Sequence, residues 1–397
     1  MMRLKTKLFL FIFFCITISV KTQNTPSENS LGLTRTIPST FLEEHREIKV
    51  YTPDSYSESD KKYPVLFILD GQRLFPYGVS LLKSFTQFKQ TPEFIVVGIT
   101  NTYPHRFGHF SDSEKKFSSF IKEEVLPFID TNYRTSSERL LFGWEYGGSF
   151  VIQTLLDTPE LFNGYMAASP FPIAQKIDAV ATFLQKHPTI DRSLYFSVSP
   201  HEGSVNMGTE KLDSLLQVKA PKSMHWTYKK LADAEHRSTP YMTLYKGITQ
   251  FYHYYPELQF NTLEEYTKAG GLEYVYDYYK QRSEQFGFQN EVSEWTKFTL
   301  IRSGIREENY TQFDYFMTTF SSSSFIENLR GSRPYEITDF YIKHSKYAEA
   351  LDIYKILLHK RSDSQELHKK IGDTYTALDM KKEAAAYYKK AQELSEN

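Results

Sequence analysis

The sequence predicts an α/β protein: a doubly wound, mostly parallel sheet, followed by an all-helical region. Three observations lead there. Short continuous apolar runs alternate with helical stretches up to about residue 255. One of those runs enters a Gly-x-Glu-x-Gly-Gly turn and leaves it as a helix. Beyond Phe251 the strand-like runs stop and aromatic-rich helical patterns take over. Strands alternating with helices imply a sheet covered on both faces, with ligands outside the carboxyl ends of its strands.

The N-terminus has the layout of an export signal. Met1 to Lys7 is basic, and Leu8 to Val20 is apolar. That run is too short to cross a bilayer comfortably, so residues 1–22 are expected to be removed, with Val20-Lys21-Thr22 before the cut. A retained membrane anchor is the alternative. The single cysteine, Cys15, lies inside the apolar run and lacks the small preceding residue that lipid attachment uses. The mature chain would then hold no cysteine, which excludes disulfides and cysteine-rich metal sites. The expected location is periplasmic or extracellular, without a stable membrane span in the mature chain. Residues 23–38 are expected to form a flexible lead-in.

Composition sets further bounds. At 40% hydrophobic the 397 residues can bury an ordinary core, and 397 residues suggest two or three domains. A net charge of −1 gives no basic excess for nucleic acid. Aromatics reach 16%; packing explains most of them, and a sugar- or peptide-binding surface is the alternative. No cofactor is expected. No metal site is expected either, because the histidines are scattered and His105-x-x-x-His109 lacks helical context and further ligands.

The first domain is expected over residues 39–255. Ile48 to Tyr51 alternates weakly and ends before Pro53, as a strand entering a turn would. Pro64 to Leu69, Phe94 to Ile99, Leu140 to Phe142 and Leu194 to Val198 are continuous apolar runs, which suit strands buried on both faces. Helices are expected over Lys115 to Ile129, Phe150 to Thr158 and Ile177 to Lys186.

The chemistry centres on Arg139-Leu140-Leu141-Phe142-Gly143-Trp144-Glu145-Tyr146-Gly147-Gly148-Ser149-Phe150. Strand, tight glycine-rich turn and helix form the layout of a nucleophile elbow, whose central residue is strained and aimed into a site. Serine usually occupies that centre. Here it is Glu145.

This stretch resembles the elbow of α/β-hydrolases in the esterase D and enterochelin-esterase group. The likeness extends to Glu44-x-Arg46, Ile48 to Pro53, Tyr63 to Leu66 and Leu69-Asp70-Gly71-Gln72. It continues through Val96 to Ile99, Tyr133-Arg134-Thr135, Ala168-Ser169-Pro170 and Glu235-His236-Arg237-Ser238-Thr239-Pro240. It covers roughly Ser39 to Tyr254. The resemblance implies an oxyanion hole from the backbone N–H groups of Gln72 and Tyr146. It implies a triad histidine at His236 and an acid on the loop after Leu194 to Val198. Glu202 is the candidate acid, with Asp213 and Asp233 as alternatives.

Glu145 changes what such a site can do. A serine hydroxyl gives up a proton as it attacks; a carboxylate has none to give and is a weak nucleophile. Glu145 beside His236 and Glu202 should hold the imidazole charged. It also puts negative charge where an oxyanion would form. Neither Ser149, one turn below the elbow, nor Ser169 is a good substitute nucleophile.

Residues 256–330 are expected to form helical pairs, with helices over Leu272 to Phe286, Ser293 to Ser303 and Asn309 to Phe320, broken at Gly287 and Gly304. In residues 331–397, Tyr341, Ala350 and Tyr354 recur 34 positions later as Tyr375, Ala384 and Tyr388. Together with Ile371-Gly372 and Ala391, they resemble the tetratricopeptide repeat, which implies a protein or peptide partner. Two repeats cannot bury their faces alone, so the preceding helices should complete the stack. The expected function is an exported esterase-family protein with a degenerate triad, acting by ligand or protein binding, with a small ester-like molecule as possible ligand. The alternatives are an active carboxylic ester or thioester hydrolase, and a structural assembly factor that uses only the helical region.

Overall fold

Apolar content sorts the strands of a single sheet from its centre to its edges. The computed structural model describes residues 31–111 and 114–396, so the expected export signal lies outside the described residues. Its strands are β1 (Leu33–Ser39), β2 (Glu44–Tyr51), β3 (Tyr63–Leu69), β4 (Ile95–Ile99), β5 (Thr135–Trp144), β6 (Gly164–Ala168), β7 (Ser193–Val198) and β8 (His225–Lys230). Their order across the sheet is β1-β2-β4-β3-β5-β6-β7-β8. β3, β4 and β6 are buried along their whole length, which is what helices on both faces require of central strands. β1 and β2 run antiparallel at one edge, and every pairing from β4 to β8 is parallel.

Three strands carry no long apolar run. Leu33–Ser39, expected within a flexible lead-in, forms the edge strand β1, where Leu33 to Thr36 are exposed and only Ile37 and Ser39 are buried. Polar residues at a sheet edge discourage pairing with other chains, and they also erase the apolar signal. β8, at the other edge, reads His-Trp-Thr-Tyr-Lys-Lys for the same reason. β6 is short and built partly from small residues. The helix expected over Lys115 to Ile129 is divided: π-helical turns at Phe120–Val125 separate two α-helical stretches, Glu114–Ser119 and Leu126–Asn132.

Sheet order creates the site. The chain moves from β3 outward to β4, then returns to place β5 on the other side of β3. Such a reversal leaves a crevice at the strands' carboxyl ends, here beside Leu69 and Trp144.

From Leu263 to Ser395 the chain is helical. One apolar cluster runs from Phe260 to Ile371, so the last hairpins share a core with the helices before them. Aromatics join this region to the sheet: Tyr252 stacks on Phe286 at 5.6 Å, and the Tyr278 hydroxyl donates to the carbonyls of His253 and Pro256. Arg282 donates to the Tyr255 carbonyl and lies 3.6 Å from the centre of the Phe288 ring. Among the described residues, no helix is long and apolar enough to cross a membrane.

Gly287 ends a helix in the left-handed conformation, whereas Gly304, expected as a break, lies inside the helix Glu294–Arg306. A Cβ at Gly304 would sit 2.9 Å from the backbone of Phe313, so this glycine allows two helices to cross closely. Gly304→Ala is expected to destabilise the protein by about 1 kcal/mol net, overpacking outweighing the gain in helix propensity. Equal or higher stability of the alanine variant in urea denaturation would contradict that close crossing.

Candidate active site

Backbone strain marks the crevice. Glu145 follows β5 with φ 54° and ψ −118°, and the helix Tyr146–Asp157 begins immediately after it. Such a conformation costs an L-residue about 1–3 kcal/mol and persists only where its surroundings enforce it. Two glycines allow it. A Cβ at Gly143 would lie 2.4 Å from the Gly147 carbonyl oxygen, and one at Gly148 would lie 2.7 Å from that of Ala168. Two neighbouring strand ends share the left-handed habit: Asp70 after β3 (φ 53°) and Ser169 after β6 (φ 42°).

The carboxyl ends of the strands bring together residues that are far apart in sequence. His236, after β8, faces Glu202 through Nδ1 at 2.7 Å and Glu145 through Nε2 at 2.8 Å. A neutral imidazole has one N–H and could satisfy only one carboxylate; the cation satisfies both. Glu202 is also held by the Ser199 backbone N–H at 2.8 Å and by the Ser199 and Ser169 hydroxyls at 2.6 and 2.8 Å. The Thr239 hydroxyl adds a longer bond at 3.4 Å. Trp144 packs against the imidazole, with ring centres 5.0 Å apart.

Of the alternative acids, Asp213 accepts from Gln217 on its own helix, and neither Asp213 nor Asp233 has a described contact with His236. Ser149 is buried below the turn, and the Ser169 hydroxyl is committed to Glu202, so neither is presented to a substrate. Gln72 and Tyr146 stand in the first turns of two helices, where N–H groups have no intrahelical acceptor. The Gln72 side chain bonds both backbone groups of Asn101, and the Asn101 side chain accepts from the Asp70 N–H, which fixes the β3 and β4 ends together.

Sequence reasoning missed Arg106, which follows β4 and joins Asp70 to Glu145. Its segment, His105–Phe110, is a short helix, contrary to the expectation that it lacks helical context. His109 there faces Glu44, and burial together with the Arg46 cation pushes its pKa down to about 4. Among the described residues, no cluster of three or more histidines and carboxylates is arranged to hold a metal ion.

Partial burial disfavours a charged His236, but the bonds to Glu202 and Glu145 outweigh it and raise its pKa. Burial likewise opposes ionised Glu202, and its bonds to Ser199, His236 and Ser169 bring its pKa below the usual value. Raised His236 stabilises the fold fully below its ordinary value of about 6.5, and this contribution disappears as pH rises through the raised value. Lowered Glu202 stabilises above the ordinary value near 4.3, a contribution lost as pH falls through the lowered one. The pair therefore stabilises most between the ordinary carboxylate value and the ordinary imidazole value, and this stabilisation fades as pH rises from there through the raised His236 value.

Strand ends carrying an acid, an imidazole and a strained turn before a helix define an α/β-hydrolase fold. The chain belongs to the family described as "Putative esterase", which matches residues 39–239, just over half of its length. It is similar to uncharacterised protein YbbA of Bacillus subtilis (strain 168), 23% identical over 243 residues that span 56% of this chain and 94% of YbbA. The structure of an IroE-like serine hydrolase from Shewanella oneidensis matches with a TM-score of 0.54 at 22% identity, covering 72% of this chain and 98% of that one. An uncharacterised protein from Capnocytophaga ochracea DSM 7271 matches with a TM-score of 0.55 at 15% identity, covering 87% and 99%. That coverage carries the shared fold beyond the sheet into the helical region.

Glu145→Gln is expected to lower the His236 titration midpoint, read from the imidazole Cε1–H resonance by NMR, because one of the two carboxylates that raise it is gone. An unchanged midpoint would mean that Glu145 does not face the imidazole in solution.

Proposed function

We propose that this is an exported esterase-family protein whose triad is degenerate, and that it acts by binding a small ester-like ligand or a protein partner. One observation carries the reading: His236 lies between two carboxylates, 2.7 Å from Glu202 and 2.8 Å from Glu145. An imidazolium held from both sides has no lone pair with which to take a proton, so it is not a general base. Glu145 has no hydroxyl proton to give, and an acyl group on it would be a mixed anhydride. Its charge also opposes the build-up of an oxyanion beside it. Export rests on the sequence of residues 1–22. The protein-partner reading rests on the 34-residue recurrence, on Gly372 meeting the Tyr388 ring where a Cβ would lie 2.7 Å away, and on buried Ala350 and Ala384. These features suit tetratricopeptide-like pairs over residues 331–397.

An active ester hydrolase is the second reading. It is favoured by the two helix starts at Gly71 and Tyr146, whose backbone donors depend on no particular side chain. In this reading Gln72 and Tyr146 supply the oxyanion hole.

A panel of fluorogenic esters separates the two. Wild type is expected to stay at background, while Glu145→Ser gains turnover about 10²-fold or more above it and loses that gain when His236→Ala is added. Wild-type turnover that disappears in Glu145→Ala would overturn the non-hydrolytic reading.

A further inference from the structure

Arg106 reaches the site from a segment that neither the acid nor the imidazole comes from. It lies on the short helix His105–Phe110 after β4, with its guanidinium over the Phe110 ring. Nε and Nη2 donate to the two oxygens of Asp70 at 2.7 and 2.8 Å, and Nη2 also reaches Glu145 Oε2 at 3.3 Å. The Asp70 side chain is wholly buried, while Arg106 is 18% and Glu145 28% exposed. Glu145 thus offers one oxygen to His236 and the other to Arg106.

Glutamate has three side-chain torsions. Held only by a half-exposed histidine, its carboxylate could turn out to water. A second contact from a guanidinium that cannot itself move removes that freedom. Asp70 makes Arg106 immovable, because two parallel N–H···O bonds fix the guanidinium in position and orientation. We propose that Arg106 is a positioning residue that holds Glu145 against His236, with buried Asp70 as its anchor. The proposal rests on the reading that Glu145 locks the imidazole.

The sign of one measurement tests it. His236 faces Glu202 and Glu145; Arg106 faces Asp70 and Glu145, with Arg73 also near Asp70. Removing the Arg106 cation without moving Glu145 would raise the His236 midpoint, because a nearby positive charge has gone. Releasing Glu145 into solvent would lower it. NMR titration of His236 is compared in the full chain for wild type, Glu145→Gln, Arg106→Gln and Arg106→Lys. Circular dichroism checks that each variant folds.

The expected result is a fall in Arg106→Gln of roughly half or more of the fall in Glu145→Gln. Arg106→Lys keeps the charge and loses the paired donors, so it should also fall. If Arg106→Gln does not fold, Arg106→Lys carries the comparison. A raised or unchanged midpoint in the folded Arg106 variants, with a lowered one in Glu145→Gln, would overturn the positioning role alone. An unchanged midpoint in Glu145→Gln would instead overturn the locking of the imidazole on which it rests.

Discussion

An imidazole with a carboxylate at each nitrogen is fully hydrogen-bonded only as a cation, and the site is built around that requirement. One carboxylate, Glu202, is gripped by Ser199, Ser169 and Thr239, so it cannot move away. The other, Glu145, sits at a backbone conformation that L-residues rarely adopt, and Gly143 and Gly148 leave just enough room for it. Each constraint comes from the end of a different strand. The parallel register of β5 to β8 delivers them to one edge of the sheet within hydrogen-bonding distance.

In this geometry a carboxylate and a hydroxyl at the turn would differ by more than one atom. A serine at the turn would leave Nε2 of the imidazole free to take its proton. Glutamate is longer, reaches the imidazole directly and brings a charge that Arg106 and His236 both answer.

A large share of the aromatic side chains finds its physical place away from the crevice. Tyr252, Tyr255, Tyr278, Phe286 and Phe288 form the seam between sheet and helices, where large flat rings fill an irregular joint and tyrosine hydroxyls satisfy carbonyls at a chain turn. Farther on, Gly304 and Gly372 let helices approach closely, and Phe313 and Tyr388 fill the space that a side chain there would need. Packing accounts for these residues.

Continuous apolar runs made β3, β4 and β7 legible from sequence, because strands covered on both faces need apolar side chains at every position. β1 and β8 were not legible, since edge strands are polar, and Gly304 misled because a glycine that permits close packing looks the same in sequence as one that ends a helix. The Gly-x-Glu-x-Gly-Gly turn and the flanks of His236 were visible as local patterns, and so were the candidates for the acid. Choosing Glu202 over Asp213 and Asp233 needed three dimensions. So did finding Arg106 and Asp70, which stand 36 positions apart in an ion pair. The sequence by itself determined which residues carry protons and charge, and which segments must be buried. Only the tertiary structure decided which of those charges meet, because hydrogen-bonding distance across a sheet is set by strand order and register, and neither is written in any one stretch of chain.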